Sequence, residues 1–437
     1  MGNQARQAAL EALQRCRRDG AWSAQAMDAA IKKYDLNRRD AALASRLTLG
    51  VLQNSVYLDY YLDLFCTKPP EKGLRDILRL GACQLLLTDR IPAHAAVGET
   101  VQLCRDNAYA RAAGLCNAVL RRLADARDSL PEIPGKGTAQ YLATRYSHPL
   151  WLAERILREH DYDFAEAFLA KNNEPAPLNI QVNTLKVSAD DYCRALDRAE
   201  LPYRAFPELP GCLELSGGSV TALPGFEEGL FYVQDRAARA AVEVASPVKG
   251  MHVLDACAAP GGKSFAAAIR MENSGHILSC DVQEKKLKRI KEGAARLGIS
   301  NLETRAMDGR VFDLALEAAF DLVLCDAPCS GFGVIGKRPE IRHKTETEIA
   351  NLPPIQAAIL DNVCRYVKPG GVLLYSTCTV LEAENREQID AFLKRHTDFA
   401  AEDFQLGDLC SKDGCYSFWP QIEGTDGFFI AKLRKIQ

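Results

Sequence analysis

The latter half of the sequence alternates short apolar runs with amphipathic helical stretches, and this alternation restricts the possible fold more than any other feature. Four runs, each ending in a small or acidic residue, follow one another from about Arg236 onward: HVLDACAA, HILSCDV, DLVLCDAP and GVLLYSTC. Helical stretches such as EKKLKRIKEGAARLG separate them. Strands and helices in alternation predict an α/β fold with a doubly wound, mainly parallel sheet. Ligands bind such sheets beyond the carboxyl ends of the strands, where the small and acidic residues fall.

The chain ahead of this sheet divides into three further stretches. Residues 1–125 carry apolar residues at spacings of three and four, which predicts an all-helical bundle. Residues 126–139 hold prolines and glycines among charged residues and are typical of a linker. Residues 140–235 mix short β-like runs with a helical stretch, which predicts a small α+β subdomain. The sheet domain then occupies residues 236–437.

The charge of the chain is unevenly distributed. The net charge is only −3, which by itself gives little reason to expect a nucleic-acid partner. Residues 1–150, however, hold 21 Lys and Arg against 15 Asp and Glu, a balance of +6, and the remainder carries −9. A basic N-terminal part joined to an acidic remainder favours an RNA-docking module attached to a catalytic one. A merely solvated helical surface is the alternative.

Targeting signals and cysteine spacing bear on where such a chain works. No apolar run reaches the roughly 20 residues that cross a bilayer, and the start MGNQARQAALEALQRC has no apolar signal region. Arg6 stands where a myristoylation signal has Ser or Thr. The 15 cysteines form no C-x-x-C pair and are typical of reduced, mostly buried thiols. We therefore expect a cytoplasmic protein without a metal site and without membrane association.

A glycine turn follows the first predicted strand of the sheet domain, in ACAAPGGKSFAAA. Pro260, Gly261 and Gly262 would let the backbone approach a ligand closely. A helix that begins near Lys263 would direct its free N–H groups to the same place. Asp281 comes 20 residues after Gly261, at the end of the next strand, where it can accept hydrogen bonds from ribose hydroxyls.

A second acid and two missing motifs narrow the choice of ligand. Asp308, in RAMDGR, follows the next β-like run and could meet an adenine amino group. The glycine turn with both acids favours an adenosine-bearing ligand over a plain strand–turn–helix. NAD is disfavoured because G-x-G-x-x-G is absent, and a P-loop is excluded because GGKS lacks the earlier glycine of that motif.

Two further strand ends carry cysteines. DLVLCDAPCSG contributes Asp326 and Cys329, and GGVLLYSTCTVLEAEN contributes Cys378. A single cysteine there would be explained as a small buried residue, but two at neighbouring strand ends, one of them near an acid, favour a reactive site. A thiolate that adds to carbon 6 of cytosine makes carbon 5 nucleophilic, and an acid near N3 assists as charge accumulates there. Position alone does not say which cysteine attacks.

The motifs together resemble a known family. DACAAPGGKS, CDAPCSG and YSTCTVLEAEN are similar to the signature motifs of the Sun or Fmu family of RNA cytosine-5 methyltransferases. RYSHPLWL, LPGFEEGLFYVQD, GVIGKRPEIR and TDGFFIAKL match further family segments, and the N-terminal helices resemble the RNA-binding fold of NusB. The resemblance covers nearly the whole chain. It implies a Rossmann-like S-adenosylmethionine-dependent methyltransferase domain, preceded by an all-α NusB-like RNA-binding domain and a small α+β RNA-binding subdomain.

The resemblance also implies a role for each matching residue. The methionine part of the donor would be wrapped by the turn after the first strand: Cys257, Ala258, Ala259, Pro260, Gly261, Gly262 and Lys263. Asp281 would hold the ribose, Asp308 the adenine side, and Asp326 would lie beside the donor and the target base. Cys378 would be the nucleophile, and Cys329 would assist product release. Arg338 and Arg342 would face RNA phosphates.

The implied activity is methylation of carbon 5 of a cytosine in 16S ribosomal RNA, through a covalent adduct with Cys378. S-adenosylhomocysteine would be the second product. The NusB-like part favours ribosomal RNA over transfer RNA, which the same catalytic residues could modify. Intact catalytic motifs disfavour a non-catalytic RNA-binding assembly factor, and the missing (Asp/Asn)-Pro-Pro-aromatic turn disfavours an exocyclic-amine methyltransferase. We expect a monomer that acts on ribosomal RNA.

Three positions depart from the family pattern. Gln181 stands where Arg is expected before Val-Asn, Arg236 follows VQD in place of a small residue, and His343 follows PEIR where relatives often have Trp. None of the three lies in the donor or cysteine motifs. They bear on the details of RNA docking and on the choice of target nucleotide.

Overall fold

The computed structural model describes residues 2–216 and 219–436, and the chain forms two compact units. Unit 1 runs to Glu174 and also includes Ile335–Glu346. Unit 2 comprises Pro175–Val334 and the chain from Thr347 onward. The chain therefore leaves unit 2 after Val334, contributes a short segment to unit 1, and returns.

Unit 1 is helical, as the sequence predicts for the N-terminal part. Its helices in the described chain are α1 (Gly2–Asp19), α2 (Ser23–Lys33), α3 (Arg38–Phe65), α4 (Lys72–Leu86), α5 (Ala93–Asp106), α6 (Ala113–Asp125), α7 (Ala139–Arg145), α8 (Leu150–Glu159) and α9 (Tyr162–Lys171). Capping residues mark several starts, since the side chains of Asn37, Thr138 and Asp161 accept hydrogen bonds from backbone N–H groups of the first turns of α3, α7 and α9. Apolar side chains spaced by three and four then form the buried core of α1 and α3–α6.

Helices α7–α9 lie within unit 1, although the sequence pattern groups residues 140–235 in one subdomain. Hydrogen bonds to α3 account for this placement. The Ser147 hydroxyl accepts from the Val56 N–H at 2.9 Å, and the Gln53 side chain donates to the Asn172 carbonyl at 3.4 Å. The compact unit therefore ends at Glu174. A shared RNA-binding role for residues 140–235 stays a prediction.

Unit 2 begins with a small antiparallel sheet. Its strands are β1 (Leu178–Val182), β2 (Tyr203–Ala205), β3 (Cys212–Leu215) and β4 (Phe231–Val233), in the order β2-β3-β1-β4, and α10 (Ala189–Arg198) connects β1 to β2. The helix packs its apolar side against the sheet through Tyr192 and Leu196, both fully buried. The predicted α+β subdomain is confirmed.

The rest of unit 2 is built around a large mixed sheet. Its strands are β5 (His252–Asp255), β6 (His276–Asp281), β7 (Leu302–Ala306), β8 (Phe320–Asp326), β9 (Val367–Thr377), β10 (Phe399–Ala401), β13 (Cys415–Phe418) and β14 (Phe428–Lys435). Strands β11 (Gln405–Leu406) and β12 (Leu409–Cys410) form a separate ribbon. The helices are α11 (Arg236–Ala245), α12 (Gly262–Arg270), α13 (Glu284–Leu297), α14 (Glu346–Ile349), α15 (Leu352–Val363), α16 (Arg386–Arg395) and α17 (Pro420–Glu423).

The strand order predicts a ligand site beside β5. Along the sheet the order is β10-β14-β9-β8-β5-β6-β7, in which β9 through β7 are parallel and β14 is antiparallel to β9. From β5 the chain proceeds outward through β6 and β7, then crosses back to β8 and β9 on the other side. Ligands of open α/β sheets bind at the carboxyl ends of the strands at such a reversal.

Both faces of this sheet are covered, which explains why its strands read as continuous apolar runs. Val253 and Leu322 contribute to one buried core, whereas their neighbours Leu254 and Val323 contribute to the core on the opposite face. Successive side chains of a strand point to opposite faces, so a central parallel strand is apolar at every position.

None of the helices in the described chain combines the length and the apolar character that crossing a bilayer requires. Over residues 2–216 and 219–436 there is also no group of three or more His, Cys, Asp or Glu side chains placed to hold a metal ion.

Candidate active site at the strand ends

Polar side chains lie side by side where four neighbouring strands end. β5 ends at Asp255, β6 at Asp281 and β8 at Asp326, and Cys378 directly follows β9. These strands run parallel, and Asp326 is paired in register with Ser376 of β9. The predicted site residues from distant parts of the sequence therefore meet at one edge of the sheet.

The turn between β5 and α12 depends on a glycine. Gly261 has a φ of +111°, and a Cβ atom built there would lie 2.7 Å from the ring of Phe265. A side chain at this position would be both strained and obstructed. Helix α12 starts at the next residue, Gly262, and the N–H groups of its first turn have no partners within the helix. This end is therefore suited to an electron-rich group of a ligand.

Lys263, in the first turn of α12, forms an ion pair with Asp326. The distance between Lys263 Nζ and Asp326 Oδ2 is 2.7 Å, and the lysine is almost fully buried. The ammonium also lies 4.9 Å from the centre of the Phe428 ring. The other carboxylate oxygen, Oδ1, accepts a hydrogen bond from the Ser376 hydroxyl at 2.8 Å. The Asp326 carboxylate is thus held from two sides, while a third of its side chain stays exposed.

The two predicted cysteines are neighbours in space. The sulfur atoms of Cys329 and Cys378 are 3.3 Å apart, within hydrogen-bond distance, and both side chains are partly exposed. The hydrogen bond with Cys378 and burial raise the pKa of the Cys329 thiol well above its usual range, and the nearby Glu384 and Asp326 carboxylates act in the same direction. Cys329 therefore keeps its proton at neutral pH.

A third loop supports the cysteine pair. The Gly333 N–H donates to the Cys378 carbonyl at 2.9 Å, and the Gly427 N–H donates to the Gly333 carbonyl at 2.8 Å. A Cβ atom on Gly333 would lie 1.9 Å from the Gly427 carbonyl oxygen, so the approach of these two backbones requires glycine. The position of Cys378 is therefore fixed by backbone bonds as well as by β9.

The two acids of the expected donor site differ in their surroundings. Asp281 is nearly buried at the end of β6 and accepts a hydrogen bond from the Gln283 N–H at 2.8 Å, whereas the next residue, Val282, is 62% exposed. Asp308 follows β7 and accepts hydrogen bonds from the side chain and the backbone of Arg310, which lower its pKa to about 2. Asp308 is therefore an ionised hydrogen-bond acceptor at neutral pH.

The sequence matches known families along most of its length. Residues 242–434 match the family described as 16S rRNA methyltransferase RsmB/F, residues 3–125 match the NusB family, and residues 148–221 match the ferredoxin-like domain of RsmF/B-like methyltransferases. The probable ribosomal RNA small subunit methyltransferase B of Bacillus subtilis (strain 168) is 33% identical over 98% of both chains. The chain belongs to the RsmB/F family. As a member, it is an S-adenosylmethionine-dependent ribosomal RNA methyltransferase, and the predicted family and fold class are confirmed.

Further proteins are similar to this RsmB/F protein in sequence or in structure. Ribosomal RNA small subunit methyltransferase B of Erwinia tasmaniensis is 36% identical over 91% of each chain. The solved structure described as "Crystal Structure of PH0851" is 27% identical, with a TM-score of 0.84 over 100% of this chain and 99% of that one. A methyltransferase homolog protein from Pyrococcus horikoshii is 28% identical, with a TM-score of 0.60 over 68% of this chain and 99% of its own.

One predicted RNA contact of this RsmB/F protein needs correction. Arg342 belongs to unit 1, is only 4% exposed, and donates hydrogen bonds to four backbone carbonyls, those of Gln53, Tyr146, Ser147 and Asn172. Burial lowers its pKa to about 9. The guanidinium is occupied by the protein itself, so the expected contact with an RNA phosphate is replaced by a structural role. Sequence could not separate the two roles, because both use the same donors.

Arg338, in the same segment, is exposed. Its guanidinium lies 4.8 Å from the centre of the Trp22 ring, which is itself 41% exposed. Glu340 receives hydrogen bonds from the backbone N–H and the hydroxyl of Ser23, at the start of α2. The segment is thus bonded to unit 1 while Arg338 remains accessible, and its contact with RNA stays a prediction.

Two of the three departures from the family pattern are packed against other side chains or backbone of the protein. Gln181 is buried in β1 and donates to the Gln234 carbonyl. Arg236 lies over the ring of Phe206 at 4.3 Å. His343 belongs to the segment of unit 1 that also holds Arg342, and its side chain is exposed. Gln181 and Arg236 therefore have packing roles in the described structure.

A buried chain of hydroxyl groups lies beneath the glycine turn between β5 and α12, and the sequence did not predict it. The Ser264 hydroxyl donates to Asp255 Oδ2 at 2.6 Å, and the Ser279 hydroxyl donates to Ser264 at 2.7 Å. Burial raises the pKa of Asp255 to about 6. The sequence does contain a signal for Asp255. An acidic residue that ends an apolar strand just before a glycine turn is expected to lie directly below that turn.

A second grouping of reactive residue types lies away from the strand ends. Cys364 Sγ is 3.7 Å from His396 Nδ1, and His396 Nε2 is 2.8 Å from Asp361 Oδ1. The order resembles a nucleophilic triad. The Cys364 thiol is buried, however, and burial raises its pKa to about 12, so it does not supply a thiolate.

Proposed function

We propose that this protein methylates carbon 5 of a cytosine in 16S ribosomal RNA, through a covalent bond between Cys378 and carbon 6 of the base. The observation that carries the proposal is the Cys378–Cys329 pair, with sulfur atoms 3.3 Å apart, at the same strand ends as the Lys263–Asp326 ion pair. A thiol that stays protonated beside a second thiol, with an acid and a cation nearby, suits a reaction that needs a nucleophile and later a base.

The strand ends offer a fitting site for S-adenosylmethionine. The turn of residues 257–263 would hold the methionine part, since Gly261 admits no side chain and α12 begins there. Asp281 would accept hydrogen bonds from the ribose, Asp308 from the adenine amino group, and the exposed Val282 offers an apolar surface for the base. When bound, the donor supplies an electrophilic methyl group. S-adenosylhomocysteine would then occupy the same contacts.

Attack begins at Cys378. Its thiolate forms a bond to carbon 6, the C5=C6 electrons move to the C4–C5 bond, and the C4=N3 electrons move to N3, which gains a proton. The Lys263 ammonium, 2.7 Å from the Asp326 carboxylate, can supply this proton to N3 through Asp326. The Cys329 thiol meanwhile donates a hydrogen bond to the Cys378 sulfur and so stabilises its thiolate.

Release requires that the carbon-5 proton leave after methylation. A base takes this proton, the C5–H electrons re-form the C5=C6 bond, the C6–S electrons return to Cys378, and N3 gives its added proton back to the Lys263–Asp326 pair. Cys329 becomes available as that base for a physical reason. The hydrogen bond and the charge of Cys378 raise the pKa of Cys329, and both contributions end once the Cys378 sulfur is bonded to carbon 6. Cys329, which is partly exposed, can then release its own proton to solvent and act as a thiolate base. The same residue is thus a hydrogen-bond donor during attack and, as the thiolate, a base during release.

Purified protein with labelled S-adenosylmethionine tests the proposal against 16S ribosomal RNA and against transfer RNA. We expect 5-methylcytidine in nuclease digests of the 16S RNA and none with the Cys378→Ala variant. Bisulfite sequencing of the intact RNA would locate the modified cytosine. Methylation of transfer RNA alone would assign the protein to the alternative substrate, and a methyl group on any other atom would reject the adduct mechanism. The NusB match over residues 3–125 supports ribosomal RNA.

The partner and setting follow from this activity. We propose ribosomal RNA as the partner, a monomer as the active form and the cytoplasm as the place of action. Sedimentation of the purified chain with and without 16S RNA tests the first two, and cell fractionation tests the third.

A further inference from the structure

A buried carboxylate outside the proposed reaction steps is bonded to the loop that carries Cys329. Glu384 lies in a short turn, residues 382–384, beyond the end of β9, and only 2% of it is exposed. Its Oε2 atom accepts a hydrogen bond from the Ser330 N–H at 2.9 Å. Ser330 directly follows Cys329, so this bond fixes the backbone on one side of the thiol.

Gln356 fixes the backbone on the other side. Its amide nitrogen donates to the carbonyl of Pro328, directly before Cys329, at 3.0 Å, and to Glu384 Oε2 at 2.9 Å. Gln356 is fully buried in α15. Glu384 and Gln356 therefore bracket Cys329 with bonds to both adjacent residues.

The same cluster reaches the other cysteine. The Ser330 and Thr379 hydroxyls are 2.8 Å apart, and Thr379 directly follows Cys378. The Tyr375 hydroxyl, in β9, donates to the Glu384 carbonyl at 2.7 Å. One buried polar network thus holds both cysteine loops, and Glu384 is its carboxylate.

We propose that Glu384 is a positioning residue that holds Cys329 beside Cys378 and keeps the Cys329 proton in place while Cys378 attacks. The inference rests on the proposed cytosine-5 mechanism and deepens it, because it explains why the two cysteines divide their roles. A negative charge buried beside a thiol disfavours a second negative charge on that sulfur. The Cys329 thiol therefore keeps its proton beside Cys378.

The electrostatics agree with this geometry. The hydrogen bond with Cys378 and burial are the largest causes that raise the pKa of Cys329, and the Glu384 carboxylate adds to them. The Cys378 contributions end when that sulfur bonds carbon 6, whereas the Glu384 charge remains. Glu384 therefore also makes Cys329 a stronger base during the release step.

Two substitutions separate the charge of Glu384 from its shape. Glu384→Gln keeps an oxygen to accept from Ser330 and Gln356, and its amide nitrogen takes the place of Oε1, a buried oxygen that has no hydrogen-bond partner in the described residues. Glu384→Asp keeps the charge but shortens the side chain. Glu387→Gln removes a nearby exposed carboxylate on α16 and serves as the control.

The first measurement uses the free protein. In a Cys378→Ala background, peptide mass spectrometry follows the alkylation of Cys329 by iodoacetamide as a function of pH. We expect Glu384→Gln to move the midpoint to lower pH by about one unit, the effect of removing one charge at several ångströms in partly screened surroundings. Glu384→Asp and Glu387→Gln should leave it unchanged. A wild-type midpoint in Glu384→Gln, with a disturbed one in Glu384→Asp, would overturn the inference in favour of a purely structural role.

The second measurement uses 16S RNA and the donor with Cys378 intact. Single-turnover breakdown of the protein–RNA adduct should quicken with rising pH, and Glu384→Gln should shift this rise to lower pH. Glu387→Gln should behave as wild type. If wild type forms 5-methylcytidine but Glu384→Gln shows the wild-type profile in both measurements, only the inference fails. If no adduct and no 5-methylcytidine form in wild type, the proposed function fails, and alkylation still reports the effect of Glu384 on Cys329.

Discussion

Lys263 and Asp326 form an ion pair of 2.7 Å in which the ammonium is buried and the carboxylate is partly open to the crevice. A buried ammonium has few other partners that could stabilise its charge. Separating it from the carboxylate would therefore cost free energy, because a buried charge would be left unpaired. In the proposed function the lysine belongs to the turn that holds the methyl donor, and the acid lies beside the target base. Their contact connects the two halves of the proposed reaction.

Replacing Lys263 by Met should therefore slow methylation more than it weakens donor binding. Loss of the proton source at Asp326 should reduce kcat by roughly 10²–10⁴-fold, the usual range for a lost acid–base contribution. Single-turnover methylation and calorimetry with the donor measure the two effects. Lys288→Met, at a position where the side chain is 80% exposed, is the control. A large loss of donor affinity with an unchanged rate constant would contradict this role.

Opposite behaviour is expected of the two cysteine variants. Cys378→Ala lacks the atom that bonds carbon 6, so neither methylation nor a covalent complex should form. Cys329→Ala should still attack and methylate but should release the product slowly, so a protein–RNA adduct should accumulate and survive denaturing gel electrophoresis. An adduct in Cys378→Ala alone would reverse the assignment.

Donor affinity should depend on Asp281. The carboxylate at the end of β6 is expected to accept two hydrogen bonds from the ribose, and Asp281→Ala should weaken donor binding by about 10–100-fold, as expected for a lost charge-assisted contact. Calorimetry with S-adenosylhomocysteine measures the change. Glu292→Gln, on the exposed side of α13, should bind normally. Equal affinities of wild type and Asp281→Ala would remove the ribose assignment.

Arg342 and Arg338 should differ although they are only four positions apart in the sequence. Arg342→Met removes a hydrogen-bond donor from four backbone carbonyls and should destabilise unit 1 by roughly 2–4 kcal/mol. Thermal unfolding measures this loss. Arg158→Met, at an exposed position on α8, should change stability little. An unfolding temperature equal to that of wild type would contradict the structural role of Arg342.

Arg338→Met, by contrast, should leave stability nearly unchanged and weaken binding to 16S RNA. If the guanidinium meets a phosphate, the slope of log affinity against log salt concentration should fall by about one. Filter binding at several salt concentrations measures both quantities. The same affinity and slope in wild type and variant would exclude the contact.

Asp255 should make stability depend on pH. Burial raises its pKa from the ordinary 3.8 to about 6, so between these values the folded protein keeps a proton that the unfolded chain releases. Stability from this group is therefore present below pH 4 and is lost as pH rises toward 6. The unfolding temperature of Asp255→Asn relative to wild type should rise across this window. A difference that stays constant with pH would show that the carboxyl is already ionised.

Much of the site could be predicted because it lies at strand ends. Asp281, Asp326 and Cys378 each follow an apolar run, and in a parallel sheet all such ends lie at one edge. What sequence could not supply was the network behind them. Gln356 and Glu384 lie 28 residues apart, and their contact depends on how α15 and the turn after β9 pack. No local pattern encodes such a contact.

The sequence also could not predict which basic residues are buried and which are exposed. An arginine that donates hydrogen bonds to backbone carbonyls and an arginine that binds a phosphate look the same in the sequence. Arg338 and Arg342 share one short segment, yet one is exposed and the other buried. Burial is a property of the assembled unit, so it becomes visible only when Ile335–Glu346 is seen as part of unit 1.

The excursion of Ile335–Glu346 into unit 1 has a consequence for how such proteins can be recombined. A module joined by a single linker can be exchanged by cutting the gene once. Here the helical unit is completed by residues encoded within the methyltransferase half, including the Arg342 that its carbonyls surround. A chimaera that takes its N-terminal helices from one relative should therefore take this internal segment from the same relative. Otherwise the helices and the segment that completes their unit would come from different sequences.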